Sequence, residues 1–196
     1  MNLSDSIILK EIQNGNIILE PFNVDYLNPN SVDLTLNPVY KTMDRHKHIM
    51  TYGSDPYVYG GVYFDCKNEN FFIEKTMGPE GLILQPGELY IYHTNEKIGV
   101  KNNIRGTVMG KSSLGRLGLF VHVTAGFVDT GFEGSLVLEM VATIPIKVYP
   151  NQKICQIEFV RVEGDINQTY DQKPGSKYMN QVGSTTSLMH KNYENN

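Results

Sequence analysis

Glycine recurs seven times across residues 106–141, GTVMGKSSLGRLGLFVHVTAGFVDTGFEGSLVLEMV. Each glycine inside a helix costs about 1 kcal/mol relative to alanine, so this stretch favours short strands joined by turns. The same punctuation runs through the rest of the chain. Apolar or β-branched runs at 17–19, 31–36, 71–73, 82–84, 89–93, 146–149 and 154–162 are separated by Gly, Pro and Asn turns. One amphipathic helix is expected near the N-terminus, capped by Ser4 or Asp5, carrying Ile7, Ile8 and Ile12, and ended by Asn14-Gly15. Residues 40–70, rich in Tyr, Gly, Asp and Lys, predict long loops or irregular edge strands. No Rossmann-like alternation appears. The expectation is one mainly β domain, a barrel or sandwich.

Three features of the glycine-rich stretch carry chemistry. Gly110-Lys111-Ser112-Ser113 sets an ammonium and two hydroxyls beside a permissive backbone, a phosphate cradle in outline; the alternative is an exposed turn with a solvated lysine. It is not a P-loop, because Gly106 precedes Gly110 by four positions rather than five, and Gly115 and Gly118 oppose the helix that a Walker lysine opens. Asp129 is the one aspartate of a glycine-punctuated apolar run, either placed for function or capping a turn before Gly131. Leu136, Leu138 and Met140 point to one side of the following strand, and Glu139 shares the other with Val137 and Val141. A glutamate on such a strand needs a partner such as Arg116 or a lysine to ionise, and it reads as a general base or as half of a structural ion pair.

Composition narrows the function class. The chain has 196 residues, 40% hydrophobic and 19% charged, enough for one domain with a real core. A formal charge of −4 gives no general attraction to nucleic acid or anionic membrane, so any phosphate site is local. Cys66 and Cys155 form no CxxC pair, and the five histidines form no HxE or HExxH arrangement, which speaks against a protein-held zinc. His46 and His48 read as solvated loop residues. With no signal segment or apolar run of spanning length, a cytoplasmic, reduced protein is expected.

With these residues in view the sequence resembles the deoxycytidine triphosphate (dCTP) deaminase family, a branch of the trimeric deoxyuridine triphosphatase (dUTPase) superfamily. The likeness covers nearly the whole chain. It rests on LSDSIILKEIQNGNIILEPF (3–22), NPNSVDLTL (28–36), LQPGELYI (84–91), GKSSLGRLGL, TAGFVDTGFEG with Glu139 behind it, and SKYMNQ in the tail. The resemblance implies a distorted β-barrel of the trimeric dUTPase-like type with a short N-terminal helix. It implies a homotrimer with active sites shared between subunits, Mg²⁺ carried by the triphosphate, and a mobile C-terminal tail from about residue 164. Lys111, Ser112 and Ser113 match phosphate-binding positions, Lys111 standing where many relatives carry arginine. Arg116, Ala125 and Glu139 match the base and water site, Asp129 the deoxyribose contact, and Tyr170, Lys177 and Gln181 the closing tail. Ser112, Arg116, Ala125, Asp129 and Glu139 are thereby the implied catalytic set. Gly126-Phe127 stands where monofunctional bacterial members carry His-Arg and is similar to the bifunctional deaminase-dUTPases. The implied activity is deamination of dCTP coupled to hydrolysis of dUTP to dUMP, with monofunctional deamination or a non-catalytic nucleotide-binding role as alternatives. Feedback inhibition by dTTP is also implied, with His122 and Thr124 beside the site.

Overall fold

The computed structural model describes residues 1–58 and 61–194. Helix α1 (Asp5–Gln13) opens at Ser4 and buries Ile8 and Glu11, while Ile7 stays exposed. In chain order follow β1 (Ile17–Glu20), β2 (Leu27–Asn28), β3 (Ser31–Thr35), β4 (Val39–Met43), helix α2 (Arg45–Tyr52), β5 (Phe72–Thr76), β6 (Leu82–Leu84), β7 (Tyr90–Val100) and β8 (Ile104–Gly110). A single helical turn, α3 (Ser112–Gly115), precedes β9 (Leu119–Phe120), β10 (Phe127–Val128), β11 (Glu133–Ala142), β12 (Ile146–Val148) and β13 (Lys153–Arg161). The fold is mainly β, as the sequence predicts. Among the described residues no helix is long and apolar enough to cross a membrane.

Two sheets enclose the core. One runs β5-β4-β7-β11-β9 with β1 also on β7, and the other runs β10-β8-β13-β3-β2; β12 and β6 form a separate ribbon. Strand β11 buries Leu136, Leu138, Met140 and Ala142 against the core and turns Ser135, Val137, Glu139 and Val141 the other way, the period-two division read from sequence. Every residue of β3 is buried, Asp33 included. That carboxylate is paired to Lys111 at 2.5 Å and Lys153 at 3.2 Å. Burial alone would raise its pKa, but the two lysines outweigh it and hold the group below its ordinary value.

Several expectations need correction. The 40–70 region, expected as loops or irregular edge strands, also holds a helix, α2. The helix has Asp44 as its N-cap, accepting from Lys47 N at 2.9 Å, and ends at Gly53 with φ +79°. His48 is not solvated. It is buried on α2, its Nε2 accepts from Phe71 N at 2.9 Å, its ring packs on Tyr52, Phe64 and Phe71, and burial lowers its pKa. The run at 89–93 and Ile98 belong to one continuous strand, because buried Glu96 accepts from Thr35 N at 2.9 Å and Thr35 Oγ1 at 2.7 Å. A helical turn does begin after Lys111, though it lasts only four residues.

Candidate active site

Between β11, β7, the 122–129 loop, the 64–72 segment and the tail lies a cavity of about 540 Å³. Its floor includes Val137 and Glu139 of β11 and Ile91, which stands directly opposite Glu139 in the β7 register. Burial pushes the Glu139 carboxyl above its ordinary pKa. No ion pair reaches Glu139 among the described residues. Arg116 does not pair with it, so a structural bridge between the two is not what this chain makes.

Three buried side-chain atoms on this cavity lack a hydrogen-bond partner among the described residues: Glu139 Oε2, His122 Nδ1 and Gln181 Oε1. For two of them the rest of the group is already committed. His122 Nε2 donates to the Val108 carbonyl at 3.0 Å, which leaves Nδ1 as the acceptor. Gln181 Nε2 donates to the Ser135 carbonyl at 2.8 Å, which leaves its amide oxygen to accept. Buried polar atoms are rarely left unsatisfied without a functional reason. A carboxylate, an imidazole acceptor and an amide acceptor converging on one apolar-walled space suit a ring bearing N–H groups.

The residues singled out from sequence divide into two groups. Ala125, Asp129, Glu139, Tyr170 and Gln181 all line the cavity, as do His122 and Thr124. Lys111, Ser112, Ser113, Arg116 and Lys177 are not on its walls. Ser112, Ser113 and Arg116 are exposed or partly so, and Lys111 is committed to Asp33. Asp129 caps nothing with its side chain: the Asp129–Phe132 turn closes through the backbone, Phe132 N donating to Asp129 O at 3.0 Å.

The glycines of the TAGFVDTGFEG run fit close approaches. At Gly131, φ +94°, a Cβ would stand 2.8 Å from Thr169 Cβ and 3.0 Å from Tyr170 N. At Gly134 it would meet Gln181 N at 3.0 Å. Both positions lie under the tail, which docks through Tyr170 N to Thr130 O at 2.8 Å, Asn180 N to Glu133 O at 2.8 Å and Ser135 N to Gln181 O at 2.9 Å. At Gly126 a Cβ would strike the Val108 carbonyl at 2.6 Å and His122 Nε2 at 3.0 Å. Further along, the Ser184 hydroxyl donates to Val39 O at 3.2 Å, so its 2.8 Å bond with His93 Nδ1 is one that it accepts.

Sequence reasoning missed Phe64, Cys66 and Asn70 of the 64–72 segment and Thr185, Thr186, Ser187 and Met189 of the tail, which contribute to the cavity wall. Nothing in their spacing marks them. Asn70 is occupied in holding its own turn, donating to Asp65 O at 2.8 Å and accepting from Asp65 N at 3.0 Å. Asp33 was legible as a strand residue but not as the partner of Lys111, 78 positions away.

Comparison with known proteins places the chain in a family. The pattern of the dCTP deaminase-like family matches residues 2–162. A protein of Clostridium beijerinckii named "dCTP deaminase, dUMP-forming" is 41% identical over 99% of both chains. One of the same name from Nocardioides sp. is 39% identical over 98% of this chain and 97% of its own. The crystal structure of 2'-deoxycytidine 5'-triphosphate deaminase from Agrobacterium tumefaciens superposes with a TM-score of 0.61 at 22% identity, over 85% of this chain and 50% of that longer one, a likeness of fold. By the matched family pattern and the near-full-length relatives, this chain belongs to the dCTP deaminase-like family.

Proposed function

We propose that this chain is a dUMP-forming dCTP deaminase: with two waters it converts dCTP to dUMP, pyrophosphate and ammonia. The observation that carries the chemistry is Glu139, a carboxyl on a cavity wall with one oxygen unpartnered and no cation beside it among the described residues. Its raised pKa brings it nearer the range in which a group both takes and returns protons. Glu139 takes a proton from a water oriented by the Ala125 carbonyl and delivers it to ring N3 as the water attacks C4. It then takes the proton of the new C4 hydroxyl and passes it to the amino group, so that ammonia leaves as the C4 carbonyl forms. His122 Nδ1 faces the same space as an acceptor for ring or exocyclic N–H groups, while the Gln181 amide oxygen lies at the Ser135 end. Asp129 receives the deoxyribose and helps to position the water for the second hydrolysis. Tyr170 and Lys177 close over the nucleotide.

The triphosphate needs positive charge that the cavity wall lacks. Lys111, Ser112, Ser113 and Arg116 supply it in this reading from a neighbouring copy, giving a homotrimer with shared sites. Among the described residues no three His, Cys, Asp or Glu side chains cluster to hold a metal. In this reading Mg²⁺ arrives with the phosphate oxygens as its main ligands, Asp129 being a suitable hard oxygen donor nearby. The ion supplies charge neutralisation on the phosphates. Gly126 supports the second reaction over simple deamination, since its backbone leaves no room for the histidine that monofunctional relatives carry there. dTTP, differing from the dUTP intermediate by a methyl group, binds the same pocket as a feedback inhibitor, with His122 and Thr124 on its wall.

The test is to incubate the protein with dCTP and Mg²⁺ and resolve the products. Accumulation of dUMP and pyrophosphate is expected. Intact dUTP as the end product refutes the second hydrolysis, and unchanged but bound dCTP refutes catalysis.

A further inference from the structure

The cavity measures about 540 Å³ and much of its wall is apolar. Strand β11 leaves the tail at Ser135, where Gln181 is bonded. Glu139 lies four residues on, about 13 Å along a strand rising about 3.3 Å per residue. Asp129, Phe132 and Tyr170 stand at the Ser135 end, Tyr170 edge-on to Phe132 at 5.8 Å. On the β7 side Ile91 stands opposite Glu139, and Leu89, just before β7 begins, also lines the cavity. From there the sheet reaches β4 and then Phe72, paired with Met43. Phe64 stacks on Phe72 at 5.3 Å and 18°, and Met189 of the tail completes this apolar end.

N1 and C4 lie across the pyrimidine ring from each other. With the sugar at the Asp129 end and C4 at Glu139, the edge bearing the 4-amino group and C5 faces the apolar end. Glu139 answers the amino group. Cytosine offers the hydrocarbon wall around it only a C–H.

We propose that the site also accepts deoxycytidine triphosphates bearing a small apolar substituent at C5, deaminating 5-methyl-dCTP with one water to dTTP and ammonia. This inference rests on the dCTP-deaminating reading and specifies the substrate range of the same site. The step is the one already described: the water oxygen bonds to C4, the C4–N bond breaks, and Glu139 carries the protons. The methyl group seats against Ile91 and Leu89.

The experiment compares initial rates of ammonia release from dCTP and 5-methyl-dCTP, each with Mg²⁺, for the wild-type chain and for Leu89→Phe. A pocket closed around C5 discriminates against one extra methyl by about 10- to 200-fold. The expected result is a kcat/KM for 5-methyl-dCTP within about tenfold of that for dCTP, and a fall of that ratio by at least about tenfold in Leu89→Phe, where the added ring volume occupies the methyl's place. A wild-type ratio below one tenth overturns the inference while leaving the dCTP reading intact. A ratio that Leu89→Phe leaves unchanged overturns it too, because C5 then points elsewhere. No turnover of either nucleotide overturns the dCTP reading and the inference with it.

Discussion

Replacing Glu139 by Gln separates function from stability in one experiment. The side chain keeps its size and loses its proton chemistry. General acid–base help is worth about 10²- to 10⁴-fold, or about 3–5 kcal/mol of barrier at about 1.36 kcal/mol per tenfold, so kcat for deamination should fall by at least about 100-fold. Nucleotide binding should persist, because the contacts assigned to the sugar and phosphates lie elsewhere. The pH dependence has a definite sign. Burial raises the Glu139 pKa above its ordinary 4.5, so the carboxylate needed as base disappears as pH falls through that raised value, and the acid limb of wild-type kcat lies above pH 4.5. The Glu139→Gln variant loses that limb. A folded-state pKa raised by burial contributes stability below the unfolded value that is lost as pH rises through the folded value. The wild-type chain therefore carries a strained charge at neutral pH. The variant's Tm under mildly alkaline conditions should equal or exceed wild type, and each kcal/mol gained in a chain of this size shifts it by about 2–4 °C. Turnover above a tenth of wild type would refute the base assignment. A Tm lowered by more than about 5 °C would show that Glu139 is held by a partner and serves the fold.

Other perturbations test separate parts of the structure. Asp33→Asn leaves Lys111 and Lys153 facing each other without their buried counter-ion; both lysines are partly exposed and screened by water, so chemical denaturation should show a loss of about 1–3 kcal/mol. Because the Asp33 pKa is depressed below 3.8, its stabilisation is complete above pH 3.8 and drains as pH falls through the lower folded value, so an acid titration of the wild type and of Asp33→Asn should converge there. Gly131→Ala forces a Cβ into Thr169 and Tyr170 at a strained φ; displacement of the tail should raise KM for dCTP about tenfold or more, with a Tm loss of only a few degrees. Cys66 is exposed on the cavity wall while Cys155 is buried, and burial raises the Cys155 thiol pKa strongly. N-ethylmaleimide should therefore modify one thiol by mass spectrometry and slow turnover, with dCTP protecting; modification of Cys155 or full activity after alkylation refutes the placement of the 64–72 segment.

The strands were legible wherever period-two alternation met a turn signal, as in β3, β11 and β13. Glu139 could be picked out because a charged residue interrupts an otherwise apolar strand face. Helix α2 was not legible, since RHKHIMTY has no apolar stripe and is defined by its ends, Asp44 and Gly53, more than by its face. The burial of His48 depended on Tyr52, Phe64 and Phe71 meeting around it, a long-range arrangement without local trace. The same reason hid the cavity's far wall. Phe64, Cys66, residues 185–187 and Met189 come together only when the tail has crossed over β11, and no spacing within either segment records that crossing.

Strand β11 carries two messages in alternate letters, one for the core and one for the cavity. Its pairing with β7 slips between Ser135 and Val137, and that irregularity sets the reading frame for everything downstream. Deleting one residue there would swap the two messages, sending Leu138 into the cavity and Glu139 into the hydrocarbon interior, without changing the composition of the strand beyond the slip. Substitutions along β11 are thus forgiving of size but not of count. Homologues are expected to vary the identity of Leu136, Leu138 and Met140 among apolar residues while keeping the number of residues between the slip and Glu139 fixed.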